Sequence, residues 1–269
     1  MKKLMLFLCA ALLLVIACAV VWQLRSREIS PPPAGPEAAV ALPEPCREVV
    51  FEGTLHVVCV VPVDRYDVRI LSEDTSGKPF DAVANADRMI EAVEGRSPVL
   101  SMNAGMYHKD LSPVGLLVEE GREKAALNLD DAEGNFFMKP NGVFMIDRSG
   151  HGRVIESQAY ARQSSDALYA TQSGPMMVID DNIHPRFEPD GTSRYIRNGV
   201  GIDGQNRVVL AISRKPVSLG SFARLFRAEL DCRNALFLDG AVSTLTANGK
   251  VIIGGRHPAG PILSVLERK

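Results

Sequence analysis

Residues 236–245 read LFLDGAVSTL and join an apolar segment to an abrupt polar end. The first three residues predict a buried strand, and Asp239 and Gly240 follow at once. Ser243 and Thr244 add two hydroxyls. This is a frequent catalytic layout, because partial burial changes the pKa of a carboxylate and glycine lets a ligand approach the backbone. A plain Asp-Gly turn has the same sequence, so the stretch alone leaves both interpretations open.

Outward from this stretch, short apolar or alternating segments predict further strands. They are residues 66–71, 98–102, 116–118, 143–146, 176–179, 208–212, 251–253 and 262–265. Apolar residues at helical spacing predict two principal helices, over 87–94 and 221–230, with Gly95 ending the first. Strands and helices do not alternate regularly, which favours a mixed, strand-rich α+β single domain over residues 46–269.

Two Asx-Gly pairs indicate turns between strands. Asp203-Gly204 lies between two apolar segments and predicts a hairpin. Asn141-Gly142 has the same signature, so we expect Asn141 to be structural.

A second polar stretch follows the strand predicted at 98–102. Asn103 and Gly105 offer a side-chain amide and accessible backbone N–H groups, and both are candidate ligand-binding residues. An Asx-turn is the alternative for Asn103. His108 is a candidate proton carrier, although a lone loop histidine is more often structural or exposed.

A third group of candidate residues precedes two predicted strands, one over residues 176–179 and one that begins at Val200. Thr171, Gln172 and Ser173 are candidate hydrogen-bond donors to a polyhydroxylated or phosphorylated ligand, and Gly174 adds a glycine turn. Arg197 can bind a phosphate through two N–H groups, and spacing does not separate its role from that of Arg194. A surface ion pair is the alternative for either arginine.

Composition excludes some classes of protein. The 269 residues hold 30 Lys and Arg against 32 Asp and Glu, which argues against nucleic-acid binding through bulk positive charge. No Cys/His spacing predicts structural zinc, and no carboxylate cluster has calcium-loop spacing. We expect neither a metal nor a cofactor, and protein partners are not predicted.

The N-terminus predicts a membrane segment over residues 1–25. Lys2 and Lys3 precede an uncharged apolar run over 4–22, whose helix would be about 28 Å long, close to the hydrocarbon thickness of a bilayer. The charge before the run places the following domain on the extracytoplasmic side. An uncleaved signal anchor, a cleaved signal peptide and a lipoprotein signal with Cys18 as the lipidated residue stay open.

A proline-rich linker follows over residues 26–45 and is expected to hold the domain away from the membrane. Cys46 and Cys59 flank a candidate hairpin and are expected to form a disulfide in an oxidising compartment. Cys232 would then be a buried free thiol. These features predict a membrane-anchored protein of the cell envelope.

Six ordered segments resemble the phosphodiester glycosidase family, in its uncovering-enzyme-like bacterial branch. They are NAGM at 103–106, PVGL at 113–116, NFF at 135–137, PNGVF at 140–144, QSGP at 172–175 and LDG at 238–240. The resemblance covers roughly residues 55–266 and implies a mixed α/β domain that cleaves sugar 1-phosphodiesters. The chain departs after Asp239-Gly240, where it has AVS instead of further glycines.

Cleavage of such a bond needs little acid catalysis, because the departing phosphate monoester is already anionic and weakly basic. One carboxylate and a cationic, N–H-rich phosphate site therefore suffice. We assign Asp239 as nucleophile or base toward C1 and Arg197 as the phosphate-neutralising group. The expected ligand contacts are at Asn103, Gly105, Thr171, Ser173, Gly174, Gly240, Ser243 and Thr244, with His108 as a further catalytic candidate.

Two other functions are compatible with these patterns. A non-catalytic envelope module would bind phosphorylated glycans with the same polar residues. A serine hydrolase using Ser173 or Ser243 is a weaker hypothesis, because G-x-S-x-G is absent.

Overall fold

The computed structural model describes residues 41–163 and 166–269. The predicted membrane segment and the linker up to residue 40 lie outside the described residues. The last linker residues contact the domain: Leu42 packs against the core, and the Val60 N–H donates to the Pro45 carbonyl over 3.2 Å. In the described part of the chain, no helix has the length and apolar character needed to cross a bilayer.

The described residues form seventeen strands and three α-helices. The strands are β1 Cys46–Phe51, β2 Thr54–Val61, β3 Tyr66–Leu71, β4 Leu100–Asn103, β5 Leu117–Glu119, β6 Arg122–Ala125, β7 Gly142–Asp147, β8 Gly152–Glu156, β9 Ala167–Ser173, β10 Met176–Ile179, β11 Asn182–Ile183, β12 Asn198–Asp203, β13 Val208–Ser213, β14 Cys232–Phe237, β15 Leu245–Ala247, β16 Lys250–Ile253 and β17 Ile262–Glu267. The helices are α1 Val83–Glu94, α2 Ser157–Ala161 and α3 Leu219–Arg224; a π-helical turn, Leu225–Glu229, continues α3, and a 3₁₀ turn spans Gly240–Val242.

The strands form three antiparallel sheets. The first has seven strands in the order β1-β2-β13-β12-β14-β10-β11. The second has the order β16-β15-β4-β17-β3, and the third β6-β5-β9-β7-β8. One apolar core contains residues of all three sheets, among them Val57, Met102 and Phe144. The architecture is consistent with the predicted α+β class.

The central strand β13, VVLAIS, is buried at every position because the first sheet is covered on both faces. Leu210 and Ile212 face the shared core. Val209 and Ala211 face α3 and its π-helical extension through Phe222 and Phe226. Continuous hydrophobicity rather than alternation therefore marks this strand.

The helix predictions are right in place and approximate in length. Helix α1 begins four residues before the predicted start, and Gly95 ends it with a positive φ of 70°. Ser218 caps α3 by accepting the Ser221 N–H over 3.1 Å. The short α2 follows β8 and was not predicted, because five residues carry too little periodicity.

The two turn predictions differ in outcome. Strands β12 and β13 pair as a hairpin across Asp203-Gly204, as predicted. The hairpin at Asn141-Gly142 is wrong, since Gly142 is the first residue of β7 and a Cβ there would lie 2.9 Å from Met176 Cγ. Asn141 is nevertheless structural, because its buried Nδ2 donates to the Phe136 carbonyl over 2.9 Å.

The predicted disulfide between Cys46 and Cys59 is present, and its two residues are cross-strand partners in the β1–β2 ladder. Cys232 is a buried free thiol, as predicted. Burial raises its pKa well above the usual range, so the thiol stays protonated.

Candidate active site

Asn103 joins the ends of β4, β12 and β14. Its Nδ2 donates to the Asp239 carbonyl over 2.8 Å, and its Oδ1 accepts the Thr244 N–H over 2.8 Å. Asn198, the first residue of β12, donates through Nδ2 to the Asn103 carbonyl over 2.9 Å and to Oδ1 over 3.1 Å. Both asparagines are fully buried. This network fixes the turn that carries Asp239 and engages both ends of the Asn103 side-chain amide within the protein.

Asp239 lies between β14 and the 3₁₀ turn Gly240–Val242. Its Oδ1 accepts the Ala241 N–H over 3.1 Å, so it caps this turn. Burial raises the pKa of its carboxyl, and the Ala241 N–H opposes that change only in part. Gly240 is required at the next position, because a Cβ there would lie 2.5 Å from Phe237 Cζ.

Arg197 is the largest fully buried side chain of the described residues. Its Nε donates to the Val217 carbonyl over 2.8 Å, and its Nη2 donates to the Ser193 carbonyl over 2.9 Å. The guanidinium lies 5.5 Å from the ring centre of Tyr195 and 5.2 Å from that of Phe237. Burial lowers its pKa to about 10, so it is still a cation at neutral pH. No carboxylate pairs with it among the described residues.

The two charged residues line one cavity of about 380 Å³. Its other lining residues are Met106, Asn135, Ser193, Tyr195, Phe237, Gly240 and Ala241. Asp239 is the only carboxylate in this lining, and Arg197 is the only cation. The tertiary structure thus brings together the two residues that we predicted as nucleophile or base and as phosphate-neutralising group.

Ser243 and Thr244 lie beside this cavity and use their hydroxyls within the protein. The Ser243 hydroxyl donates to the Ile196 carbonyl over 2.8 Å. The Thr244 hydroxyl donates to the Val242 carbonyl over 2.8 Å and accepts the Gly255 N–H over 3.0 Å. Both residues line a neighbouring cavity, described below.

Four predicted ligand contacts are packed around β9 instead. A Cβ on Gly105 would lie 2.3 Å from Thr171 Oγ1, and one on Gly174 would lie 2.5 Å from the Phe136 carbonyl oxygen. Ser173 is fully buried, and its hydroxyl has no hydrogen-bond partner among the described residues. None of these four residues lines the cavity of Asp239 and Arg197.

The QSGP and PVGL segments meet through Gln172. Its Oε1 accepts the N–H groups of Leu116 and Asn128, over 3.0 and 2.9 Å. Its Nε2 donates to the Asn128 carbonyl over 2.6 Å and to Ser157 Oγ over 3.1 Å. A Cβ on Gly115 would lie 2.2 Å from Gln172 Oε1, which explains the glycine in PVGL.

His108 is exposed in the loop between β4 and β5. Its backbone N–H donates to the Ser112 carbonyl over 2.8 Å. It does not line the cavity of Asp239 and Arg197.

Two tyrosines near the cavity were not among the predicted site residues. Burial raises the pKa of Tyr107 to about 12, and the negative charge of Asp239 contributes to that rise. Tyr195 is 55% exposed and stands at the cavity rim against Arg197. Tyr107 belongs to the polar stretch that contains Asn103, so its position in the sequence could have indicated a site residue. Tyr195 lies in no such stretch, and the sequence around it did not indicate one.

Other features of the described residues were compared with this site. A somewhat larger cavity, about 480 Å³, is lined by Asp67, Arg148 and Arg268, but Asp67 and Arg268 form an ion pair of 2.9 Å. No group of three or more His, Cys, Asp or Glu residues within 41–163 and 166–269 is arranged to hold a metal ion. The cavity of Asp239 and Arg197 is therefore the best candidate active site.

The fold and the site together define a strand-rich α+β protein with a half-buried carboxyl and a buried guanidinium without an ion-pair partner on one cavity. The model of the phosphodiester glycosidase family matches residues 96–268, which include both residues. The chain belongs to this family, as its motifs predicted. The match begins some forty residues later than the predicted resemblance.

A relative and two solved structures are similar to the chain. The Escherichia coli K12 protein YigE, described as uncharacterized, is 38% identical over 170 residues, which is 63% of this chain and 66%, just under two thirds, of that protein. The zebrafish N-acetylglucosamine-1-phosphodiester alpha-N-acetylglucosaminidase catalytic domain, auto-inhibited by its pro-peptide, matches with a TM-score of 0.60 and 13% identity, over 83% of this chain and 82% of that one. A hypothetical protein from Synechocystis matches with a TM-score of 0.53 and 12% identity, over 83% and 61%.

Proposed function

We propose that this protein hydrolyses sugar 1-phosphodiesters, cleaving the bond between the anomeric carbon and the phosphate oxygen. Membership of the phosphodiester glycosidase family supports the general activity. The observation that carries the proposal is the shared cavity of Asp239 and Arg197, each a partly or fully buried charged residue without an ion-pair partner among the described residues.

Arg197 is suited to the phosphate. A buried guanidinium without a carboxylate loses hydration that carbonyl acceptors and aromatic rings replace only in part. An anionic ligand in the cavity would supply the missing countercharge. The contacts to Val217 and Ser193 hold the group in place before a ligand arrives, so little reorganisation is needed.

Asp239 is suited to the anomeric carbon. In its ionised form the carboxylate either attacks C1 directly, forming a glycosyl ester that water then hydrolyses, or takes a proton from the water that attacks C1. The C1–O bond breaks, and its electron pair leaves with the phosphate monoester. Because Arg197 neutralises that leaving group, the lack of a second carboxylate in the cavity lining is compatible with catalysis.

We also propose that the domain acts in the cell envelope on a glycan or small-molecule phosphodiester, held at the membrane by the N-terminal segment. The Cys46–Cys59 disulfide supports this, because disulfides persist in oxidising compartments. The apolar run over residues 4–22 provides the membrane attachment.

The test measures release of reducing sugar from α-glycosyl phosphodiesters by the full chain in detergent. Asp239→Asn should lower kcat by about 10²–10⁴-fold, the range for loss of a catalytic proton-transfer group. Asp131→Asn is the matched control, since Asp131 is exposed and outside the cavity lining. Full turnover by a folded Asp239→Asn protein would contradict the assignment.

Two further measurements complete this test. NMR of the first-formed sugar anomer separates a nucleophilic Asp239, which retains configuration, from a base, which inverts it. If the wild type binds sugar phosphates in calorimetry but releases no sugar from any substrate, the non-catalytic envelope module is the better function.

A further inference from the structure

A second cavity, about 460 Å³, adjoins the candidate active site across the turn Gly240–Val242. Tyr195, Gly240 and Ala241 line both cavities. The remaining lining residues of the second cavity are Ile196, Val242, Ser243, Thr244, Gly254, Gly255, Arg256 and His257. A ligand bound at Asp239 therefore needs only to pass over one turn to enter this space.

The loop that carries Arg256 and His257 is anchored on both sides. Gly254 has a φ of 76°, and a Cβ there would lie 2.0 Å from the Ser243 carbonyl oxygen. The N–H of the next residue donates to Thr244 Oγ1 over 3.0 Å. Beyond His257, the Pro258 carbonyl accepts the hydroxyl of Tyr107, which packs against Gly260. These contacts hold the loop at the edge of the cavity.

The charge of the second cavity is one-sided. Arg256 and His257 line it, and neither forms an ion pair within the described residues. No Asp or Glu is among its lining residues. The carboxylate of Asp239 lines the neighbouring cavity. The space is therefore suited to an anion.

We propose that the second cavity is a leaving-group subsite that selects phosphodiesters whose far side carries a further phosphoryl group. This inference rests on the proposed function. With C1 at Asp239 and the scissile phosphate at Arg197, the substituent beyond that phosphate crosses Gly240–Ala241 and meets Arg256. The guanidinium of Arg256 supplies paired N–H donors for the second phosphoryl group, and the imidazole ring of His257 adds a further N–H donor.

The test compares two substrates with the same sugar, its 1-(methyl phosphate) diester and its 1-(methyl diphosphate) ester. We expect the wild type to prefer the diphosphate, measured as the ratio of the two kcat/KM values. Arg256→Ala should lower that ratio about tenfold, mainly through KM for the diphosphate, because it removes one charge-assisted contact. Arg256→Lys should keep part of the preference. Arg122→Ala is the matched control, since Arg122 is exposed on β6.

The outcomes separate this inference from the proposed function. An unchanged ratio in a folded, active Arg256→Ala protein would overturn the subsite and leave the proposed function intact. If the wild type cleaves neither substrate, the proposed function fails. Calorimetry with inorganic pyrophosphate then decides whether the second cavity still binds a phosphoryl group: wild-type binding that Arg256→Ala weakens about tenfold supports such binding without a leaving-group role, and equal or absent binding overturns the inference altogether.

Discussion

Replacement of Arg197 by methionine tests whether the buried cation serves a ligand or the fold. Methionine keeps an unbranched side chain between Tyr195 and Phe237 but removes the charge and every N–H donor. We expect kcat/KM to fall about 10²–10³-fold, the usual effect of losing one preorganised electrostatic group.

The expected change in stability follows from opposing contributions. The variant loses two charge-assisted hydrogen bonds to carbonyls, about 1.5–3 kcal/mol each. It also loses two cation–π contacts of about 0.5–2 kcal/mol each. Against these losses, the desolvation penalty of a buried guanidinium, several kcal/mol, disappears. The free energy of unfolding should therefore fall by less than the sum of the lost contacts.

The assay is thermal unfolding with and without a sugar 1-phosphate. At one hundred times its Kd, the ligand should stabilise the wild type by about 2.7 kcal/mol. For a domain of this size that free energy corresponds to a rise in Tm of about 5–10 °C. Arg197→Met should lose this rise. Arg153→Met, which removes a partly exposed arginine paired with Asp166, should keep it.

Two results would refute the reasoning. One is a Tm rise in Arg197→Met equal to that of the wild type, which would place the phosphate elsewhere. The other is a fold that collapses in both Arg197→Met and Arg197→Lys, which would make the cation structural.

Three further predictions concern the fold around the site. Gly115→Ala should destabilise the protein by about 1–3 kcal/mol in urea unfolding, because the new Cβ meets Gln172 Oε1 and Phe136 Cζ; an unchanged midpoint would contradict this packing. Asp87→Asn should raise the free energy of unfolding at pH 7.5 by about 1–3 kcal/mol, since the Asp87 carboxyl is buried and the nearby Ser101 and Thr246 hydroxyls offset the resulting rise in its pKa only in part. That gain should shrink toward pH 4 as the carboxyl protonates, and a gain independent of pH would be the wrong outcome. Burial lowers the pKa of His56, so its neutral form stabilises the fold above about pH 6.5 and that contribution is lost as the pH falls; His56→Gln should flatten the acid side of a stability–pH curve, and an identical curve would exclude His56 as a cause.

Local sequence patterns predicted most elements because their causes are local. The alternation in YDVRIL matches β3 residue for residue, and the apolar run VVLAIS marks a strand buried on both faces. Gly95 ends α1 because a left-handed residue is needed there. The Asn141-Gly142 pair failed because packing against Met176 of another sheet, rather than turn geometry, requires its glycine.

The candidate site was predicted in part. Asp239 and Arg197 were chosen for their chemistry, and the fold brings them to one cavity. Asn103 was chosen as a ligand-binding residue for its side-chain amide, but that amide forms hydrogen bonds within the protein. Ser173 is buried at the end of β9. No local pattern distinguishes a polar group that binds a ligand from one that satisfies a distant backbone group.

By itself, the sequence determined the strand-rich class, the disulfide pair, the family and the two charged residues of the candidate site. Only the tertiary structure decided which polar residues share a cavity. The register that places Gly199 opposite Phe237 brings the start of β12, next to Arg197, beside the strand end that leads to Asp239. Such pairing depends on burial of both faces of a sheet by distant segments, and the free energy of that burial is not encoded in any single stretch of the chain.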